Sequence, residues 1–536
     1  MIWYCLGRSG CLLLNRILVM DATQKVVFNT VILYLKILVT MAVSLVSVPL
    51  VLKTLGTSDY GLYNLVAGII TMLAFLNNSM LAFLNNSMLV SSQRYMSVAM
   101  GEGKVDRINS IYNTSFILHL SLAILIVLGL ELLGVPSIEK LNIDSNRVTV
   151  AQIIFQFLII STFSRILSVP FDAIMNAHED MLPFSIIEFI DSILMLIVAF
   201  TLRFVLIDKL VFYGGCVASI ALLSLIMKYG WCFYAYKNYR LVLSKYVTKS
   251  QIKEMLSFTG WNLFGSAALM GRNQGVAVLF NLFLGTISNA AYGISNQINN
   301  ALVHFSSTFQ RAINPQLMKS EGMGDRSRLH RIANISSKFS VLAITFISVP
   351  LIVLMDDVLY IWLGNKIPSF TSELSKCILI MSILYQFSTG LMSAIQATGN
   401  IRNYQILMGS IILLNVPLAY GILKLGFPIY YVTIGFVMFE FLSLIIRMIM
   451  AKSIVGITIE SYIKDVIIPC LSVVSFSTLL CMIPFFFIES CVLRLISTGV
   501  VYIIMFIFLS YLWAFNKNQK AMFKSWIQNV MAKFTF

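Results

Sequence analysis

Two cations stand in apolar runs with no acidic residue near them in the chain. Lys36 lies in "VILYLKILVTM" and Arg272 in "LMGRNQG". An ionisable group at membrane depth costs about 3 kcal/mol or more, which makes it a functional candidate. Ammonium and guanidinium groups bind anions, and a guanidinium can give phosphate or carboxylate oxygens paired hydrogen bonds. Asn273 and Gln274 add amide donors and acceptors beside Arg272, with Gly271 and Gly275 flanking. Arg272, Lys36, Gln274 and Asn273 are therefore the expected substrate-binding set, lining a cavity. Lys36 has an alternative role, snorkelling to the cytoplasmic face.

Arg165 and Asp191 form a second constellation, each thirteen residues from His178. If an antiparallel hairpin turns near His178, the two share one depth, which predicts a structural ion pair. Lys228, Lys338 and Arg447 fall near estimated span ends and read as snorkelling cations. Glu188 and Glu440 also read as near-end residues.

Nothing points to catalysis. The sequence has no GxSxG, HExxH or Walker loop, which argues against the familiar hydrolases and ATPases. Eight cysteines are scattered without a CxxC pair and read as inert buried thiols. The four histidines lack metal-ligand spacing. No catalytic residue, metal or cofactor is expected, although coupling to an H+ or Na+ gradient fits a transporter.

The elements that hold these charges must be membrane helices. The 536 residues are 58% hydrophobic and 11% charged, with mean hydropathy +0.87. Soluble domains carry about 25% charged residues, so the apolar excess must face lipid. Hydropathy predicts about fourteen spans of ~20 residues. Their centres lie near Met41, Phe75, Ile124, Ile160, Met195, Leu222, Leu269, Ala301, Ile344, Leu384, Leu413, Gly435, Val474 and Tyr502. Connections are short, so function belongs within the membrane. Alternate loops concentrate Lys and Arg, as in Lys237, Arg240, Lys245, Lys249 and Lys253. The positive-inside rule makes that side cytoplasmic, with both termini inside a bacterial inner membrane. The same bias accounts for much of the +15 net charge, and nucleic acid need not be invoked.

Residues 1–20 lack a clean signal-peptide pattern and read as a non-native or disordered extension. Residues 516–536 read as a basic amphipathic tail at the cytoplasmic interface. The word "LAFLNNSM" occurs twice in succession over Leu73–Met88. Eight extra residues add ~12 Å to a helix. The expectation is one overlong helix from Leu62 to about Met96, with the copy itself an accident.

A longer repeat recurs across the chain. "LGTSDYGLYN" from Leu55 returns loosely as "LGTISNAAYGISN" from Leu284. In each case a Gln-Arg pair follows (Gln93-Arg94, Gln310-Arg311), then a GxG (Gly101/Gly103, Gly322/Gly324), then Arg-Ile (Arg107-Ile108, Arg331-Ile332). Six spans separate the copies, which predicts two parallel six-helix lobes with substrate between them. Lys36 and Arg272 lie 19 and 12 residues before Leu55 and Leu284. The difference of seven is two helical turns, so both should face the same way. The expected fold is an all-α polytopic membrane protein: an N-lobe at 21–240, a C-lobe at 250–455 and a C-terminal helix pair at 460–515.

The segments "LKTLGTSDYGLYNLVAGII", "SSQRYMSVAMGEG", "GRNQGVAVLFNLFLG" and "IQATGNIRNYQ" resemble the oligosaccharide-flippase family of O-antigen and capsule exporters, over residues 21–453. That family belongs to the multidrug/oligosaccharidyl-lipid/polysaccharide exporter superfamily. The resemblance implies movement of undecaprenyl-diphosphate-linked oligosaccharide repeats from the cytoplasmic to the periplasmic leaflet. Implied partners are the lipid-linked oligosaccharide, membrane lipids, and the polymerase and glycosyltransferases of the pathway. The alternatives are a membrane polymerase or ligase of that pathway and a drug/cation antiporter of the superfamily. The polymerase would need a large periplasmic loop. The antiporter would need a buried carboxylate without a cationic lumen.

Overall fold

The computed structural model describes residues 22–73, 78–138, 143–364, 367–517 and 519–520. Lipid offers no partner for backbone N–H and C=O groups, so an apolar chain satisfies them within helices. The described residues contain helices and no strand. Among the described residues eleven helices are long and apolar enough to cross a membrane, or twelve if a pair bent by 45° counts as one span. Every expected span centre falls in a helix except Phe75, which lies outside the described residues.

The helices are α1 (Ala22–Leu73), α2 (Asn78–Gly101), α3 (Val105–Gly129), α4 (Val148–His178), α5 (Met181–Thr201), α6 (Lys209–Ala235) and α7 (Lys249–Gly322). There follow α8 (Arg326–Val353), α9 (Met355–Leu363), α10 (Thr371–Gln386), α11 (Thr389–Thr398), α12 (Arg402–Lys424), α13 (Tyr430–Val455), α14 (Ile468–Phe487) and α15 (Cys491–Leu509). The bent pair is α10 with α11. The count falls below fourteen partly because α7 carries two expected spans. Its 74 residues would extend ~111 Å at 1.5 Å each, far beyond a bilayer. Gly285 breaks it with φ 78° and ψ −170°, between the centres Leu269 and Ala301. Gly56 breaks α1 in the same way, with φ 81° and ψ 168°.

These two glycines directly follow Leu55 and Leu284, the first residues of the repeated words. Residues with a Cβ rarely adopt that backbone conformation, so the repeat recurs as geometry and not only as letters. Gly103 and Gly324, at the matching GxG motifs, share positive φ values of 69° and 72°.

The chain divides into two compact units. Unit 1 comprises the described residues of Met1–Ala267 together with Arg311–Asp325, and unit 2 comprises Ala268–Gln310 and Arg326–Phe536. Unit 1 thus takes in 250–267 and 311–325, which the sequence reading gives to the C-lobe. The ends of α7 account for this. Ser91 Oγ donates to the Met255 carbonyl at 3.4 Å, and the rings of Tyr95 and Phe258 meet edge to face at 5.8 Å. The C-terminal pair α14–α15 belongs to unit 2, where Tyr502 Oη donates to the Thr345 carbonyl of α8 at 2.9 Å.

Within unit 1, α4 packs on α2, α3 and α6, while α5 packs mainly on α1 and α6. In lipid, helices associate through close packing rather than water expulsion, and small residues permit it. Gly214 and Gly215 of α6 accordingly face the Phe157 ring of α4, a Cβ at either lying 3.3–3.5 Å from it. The closest approach is at Gly101 and Gly322. A Cβ on Gly101 would sit 2.2 Å from the Lys319 carbonyl oxygen, and one on Gly322 would sit 2.0 Å from that of Val98.

The overlong helix expected over the octapeptide includes 74–77, outside the described residues; α1 reaches Leu73 and α2 starts at Asn78. The extension at 1–20 and most of the tail at 516–536 also lie outside them.

Candidate functional site

Unit 1 contains a cavity of about 520 Å³ lined by α1, α4, α5 and α6, with Tyr63. Spacings of three, four and seven put its polar residues on inward faces: Arg165 and Ser168 on α4, Glu188 and Asp191 on α5, Ser224 and Lys228 on α6. From α1 come Thr40, Ser44 and Ser47. The first two satisfy their hydroxyls on their own helix, donating to the Lys36 and Thr40 carbonyls at 3.0 and 2.8 Å.

The charges of this region are mostly matched across helices. Lys228 Nζ lies 2.8 Å from Asp172 Oδ1 and 3.0 Å from Oδ2, with Ser168 Oγ donating to Oδ2 at 3.4 Å. Lys36 Nζ makes an ion pair with the Glu188 carboxylate. The Phe184 ring serves both ammonium groups, at 4.9 Å from Lys36 and 5.5 Å from Lys228. Asp191 Oδ2 accepts from Ser224 Oγ at 2.8 Å, and its buried Oδ1 has no hydrogen-bond partner among the described residues. Arg165 is exposed on the cavity wall.

Three sequence expectations are corrected here. Among the described residues no ion pair joins Arg165 to Asp191. Equal depth is not contact: α5 packs on α1 and α6 and touches α4 only sparsely, so Ser224 of α6 reaches Asp191 instead. Lys36 is not unpaired, because packing of α5 on α1 brings up a carboxylate 152 residues away in sequence. Lys228 is no snorkelling cation; it is 6% exposed and ion-paired.

Arg272 lies in unit 2 and is buried rather than open on a cavity wall. Its Nε and Nη2 donate to Asn273 Oδ1 at 3.1 and 2.9 Å, and its Nη1 approaches Met381 Sδ at 3.6 Å. The guanidinium stands 5.4 Å from the Phe436 ring. Gly271 and Gly275 admit Leu413 and Val416 of α12, a Cβ at either lying 3.2 Å from them. Asn273 is thus a partner for Arg272, and Gln274 is exposed. Arg447 and Glu440 are likewise interior and form a buried pair at 2.5 Å, not two span-end groups. Arg447 Nη1 also donates to Ser388 Oγ at 2.9 Å, where α10 gives way to α11. Lys338 is buried too, donating to the Ala514 carbonyl at 3.0 Å.

Both ends of unit 1 carry charged clusters. At one, Glu179 adopts a left-handed conformation (φ 64°) with its side chain buried. Lys319 Nζ and Gln316 Nε2 donate to its carboxylate at 2.5 and 2.6 Å, and Asn29 Nδ2 to its carbonyl at 2.9 Å. Burial lifts the neighbouring Asp180 carboxyl above its ordinary value, despite the Tyr236 hydroxyl that donates to it. At the other end, Arg147 bridges Asp59 (2.7 Å) and Asp208. Asp208 also caps α6, accepting from the Leu210 and Val211 N–H groups at 3.0 and 3.1 Å. Burial raises this carboxyl, but those bonds and Arg147 outweigh it and hold it below the ordinary value.

No family model and no curated protein matches this sequence. Solved structures do. A multidrug resistance MATE family transporter of the MOP superfamily, in an outward-facing conformation, is 15% identical with a TM-score of 0.68. The match covers 82% of this chain and 97% of that one. A MOP superfamily transporter from Pyrococcus furiosus, described as having a binding pocket of reverse polarity, is 14% identical with a TM-score of 0.67, over 82% and 97%. A MATE structure in a bent conformation is 14% identical with a TM-score of 0.68, over 83% and 98%. The chain therefore has the fold of these MATE transporters.

Proposed function

We propose that this chain is a cation-coupled exporter of the cytoplasmic membrane, with the unit 1 cavity as the place where its cargo or coupling cation is held. The observation that carries the reading is the cavity itself: acids and bases from three helices at membrane depth, including a carboxylate, Asp191, with one oxygen left without a hydrogen-bond partner among the described residues. Charges are retained in such positions where they line a transport path. The MATE fold and these carboxylates support drug/cation antiport. The test is efflux of a cationic dye from cells lacking their own exporters. Expression of this chain should lower dye retention, Asp191→Asn should abolish that effect, and no efflux at normal abundance would reject the reading.

A second reading is favoured by Arg165, a cavity guanidinium without an ion pair among the described residues, and by the sequence resemblance. On this reading the cargo is an undecaprenyl-diphosphate-linked oligosaccharide, delivered to a polymerase for O-antigen or capsule synthesis. Restoration of surface polysaccharide in a flippase-null strain, without dye efflux, would select it. In both readings the Lys/Arg-rich loops support cytoplasmic termini.

A further inference from the structure

Three carboxylates on two consecutive helices beside a membrane cavity form a setting that attracts cations. Asp172 comes from α4, and Glu188 and Asp191 from α5. In unit 1 the chain fills that setting with cations of its own. Lys228 reaches in from α6 and lies within 3.0 Å of both oxygens of Asp172. Lys36 engages Glu188 from α1. One ring, Phe184, backs both ammonium groups and holds them through its π face. Asp191 has Ser224 as its donor and lies in the field of Lys228, Glu188 and Arg165. Three bases thus balance three acids, and no net negative charge is left to draw in a bare metal cation. A sodium ion seeking the Asp172 oxygens would have to evict Lys228 and leave a buried ammonium without its partner, which is strongly unfavourable.

We propose that Lys228 is a tethered cation that determines ion specificity by making the unit 1 cavity indifferent to sodium. The proposal rests on the reading of this cavity as the coupling site, and its consequence is that the coupled ion is not sodium. Lys228 was reached by packing, not by sequence proximity: Asp172 lies 56 residues away.

The experiment needs no transported substrate, so its outcome is independent of whether the transport reading stands. Purified full-length protein is unfolded thermally at one ionic strength in NaCl, KCl or choline chloride. A ion that binds only the folded state raises the melting temperature as its concentration rises through Kd. The wild type should melt at the same temperature in all three salts. Lys228→Met should gain a sodium-specific, saturable rise in melting temperature. Adding Asp172→Asn to it should remove that rise, and Lys228→Arg should behave as wild type. A sodium-specific rise in the wild type overturns the proposal, and so does a folded Lys228→Met that ignores sodium. Should Lys228→Met fail to purify, retention of radioactive sodium by the wild type decides: none is expected, and stoichiometric retention overturns the proposal.

Discussion

In unit 1, α4, α5 and α6 turn Arg165, Asp191 and Lys228 toward a cavity, whereas in unit 2 Arg272 and Arg447 lie 8% and 2% exposed among packed helices. The two copies of the sequence repeat share their landmarks and their glycine breaks, Gly56 in unit 1 and Gly285 in unit 2. Their charges nevertheless do different work. Those of unit 2 are held by immediate neighbours: Asn273 for Arg272, Glu440 and Ser388 for Arg447. Those of unit 1 are paired around open space, and Arg165 is left facing it. A duplicated scaffold can therefore carry a polar path in one copy and a rigid interior in the other.

The sharpest way to break this comparison is to unpair a charge in each unit. Arg447→Met should destabilise the protein by about 3–5 kcal/mol, because it strands buried Glu440. Abundance in the membrane should collapse, and adding Glu440→Gln should restore most of it. If Arg447→Met purifies normally, unit 2 is not the rigid half. Arg165→Ala should do the reverse. Its melting temperature should hold, while transport falls on the order of a hundredfold, about 2.7 kcal/mol of lost binding or barrier stabilisation. Unchanged transport would empty the unit 1 cavity of its assigned role.

Smaller effects sharpen the contrast. Asp191→Asn keeps the acceptor for Ser224 and should alter stability by no more than about 1 kcal/mol, although it abolishes gradient-driven efflux. Least of all should be the contribution of Asp208 at the end of unit 1. Its carboxyl sits below the ordinary value, so its stabilising effect is complete above the unfolded-state value and fades as pH falls through the folded-state value. A melting temperature followed from pH 6 to pH 3 should show a small acid-side loss that Asp208→Asn lacks, worth under about 1 kcal/mol for so exposed a pair.

How far the sequence reaches follows from which interactions are local. Helices were legible because apolar runs of membrane length leave the backbone no other solution. The repeat was legible at Leu55–Gly56 and Leu284–Gly285 because it is written in residue types that impose a backbone conformation. The site residues were only half legible. Arg165, Glu188, Asp191 and Lys228 can be found by asking which ionisable groups stand inside apolar runs of membrane length. Their partners cannot be found so, since Lys36 with Glu188 and Lys228 with Asp172 depend on which helix lies beside which. The Arg165–Asp191 expectation failed for that reason: depth follows from counting residues, but neighbourhood does not. Arg272 was identified as unusual, yet its burial depends on α12 and α13 closing around it.

The crossing of Gly101 over Gly322 has a mechanical consequence. Where two backbones touch with no side chain between them, there are no rotamers to unlock and no knobs to lift from holes. Such a junction resists compression but offers little friction to rotation, as a bare bearing does. Lys319, one turn before Gly322, holds Glu179 from the same helix, so a swing about the bearing would be felt at that carboxylate, tightening or releasing it. Even one methyl group here would collide with a carbonyl oxygen. Gly101→Ala or Gly322→Ala would then act less like a lost contact than like grit in a joint, slowing turnover at saturating cargo and leaving the affinity for cargo largely as it was.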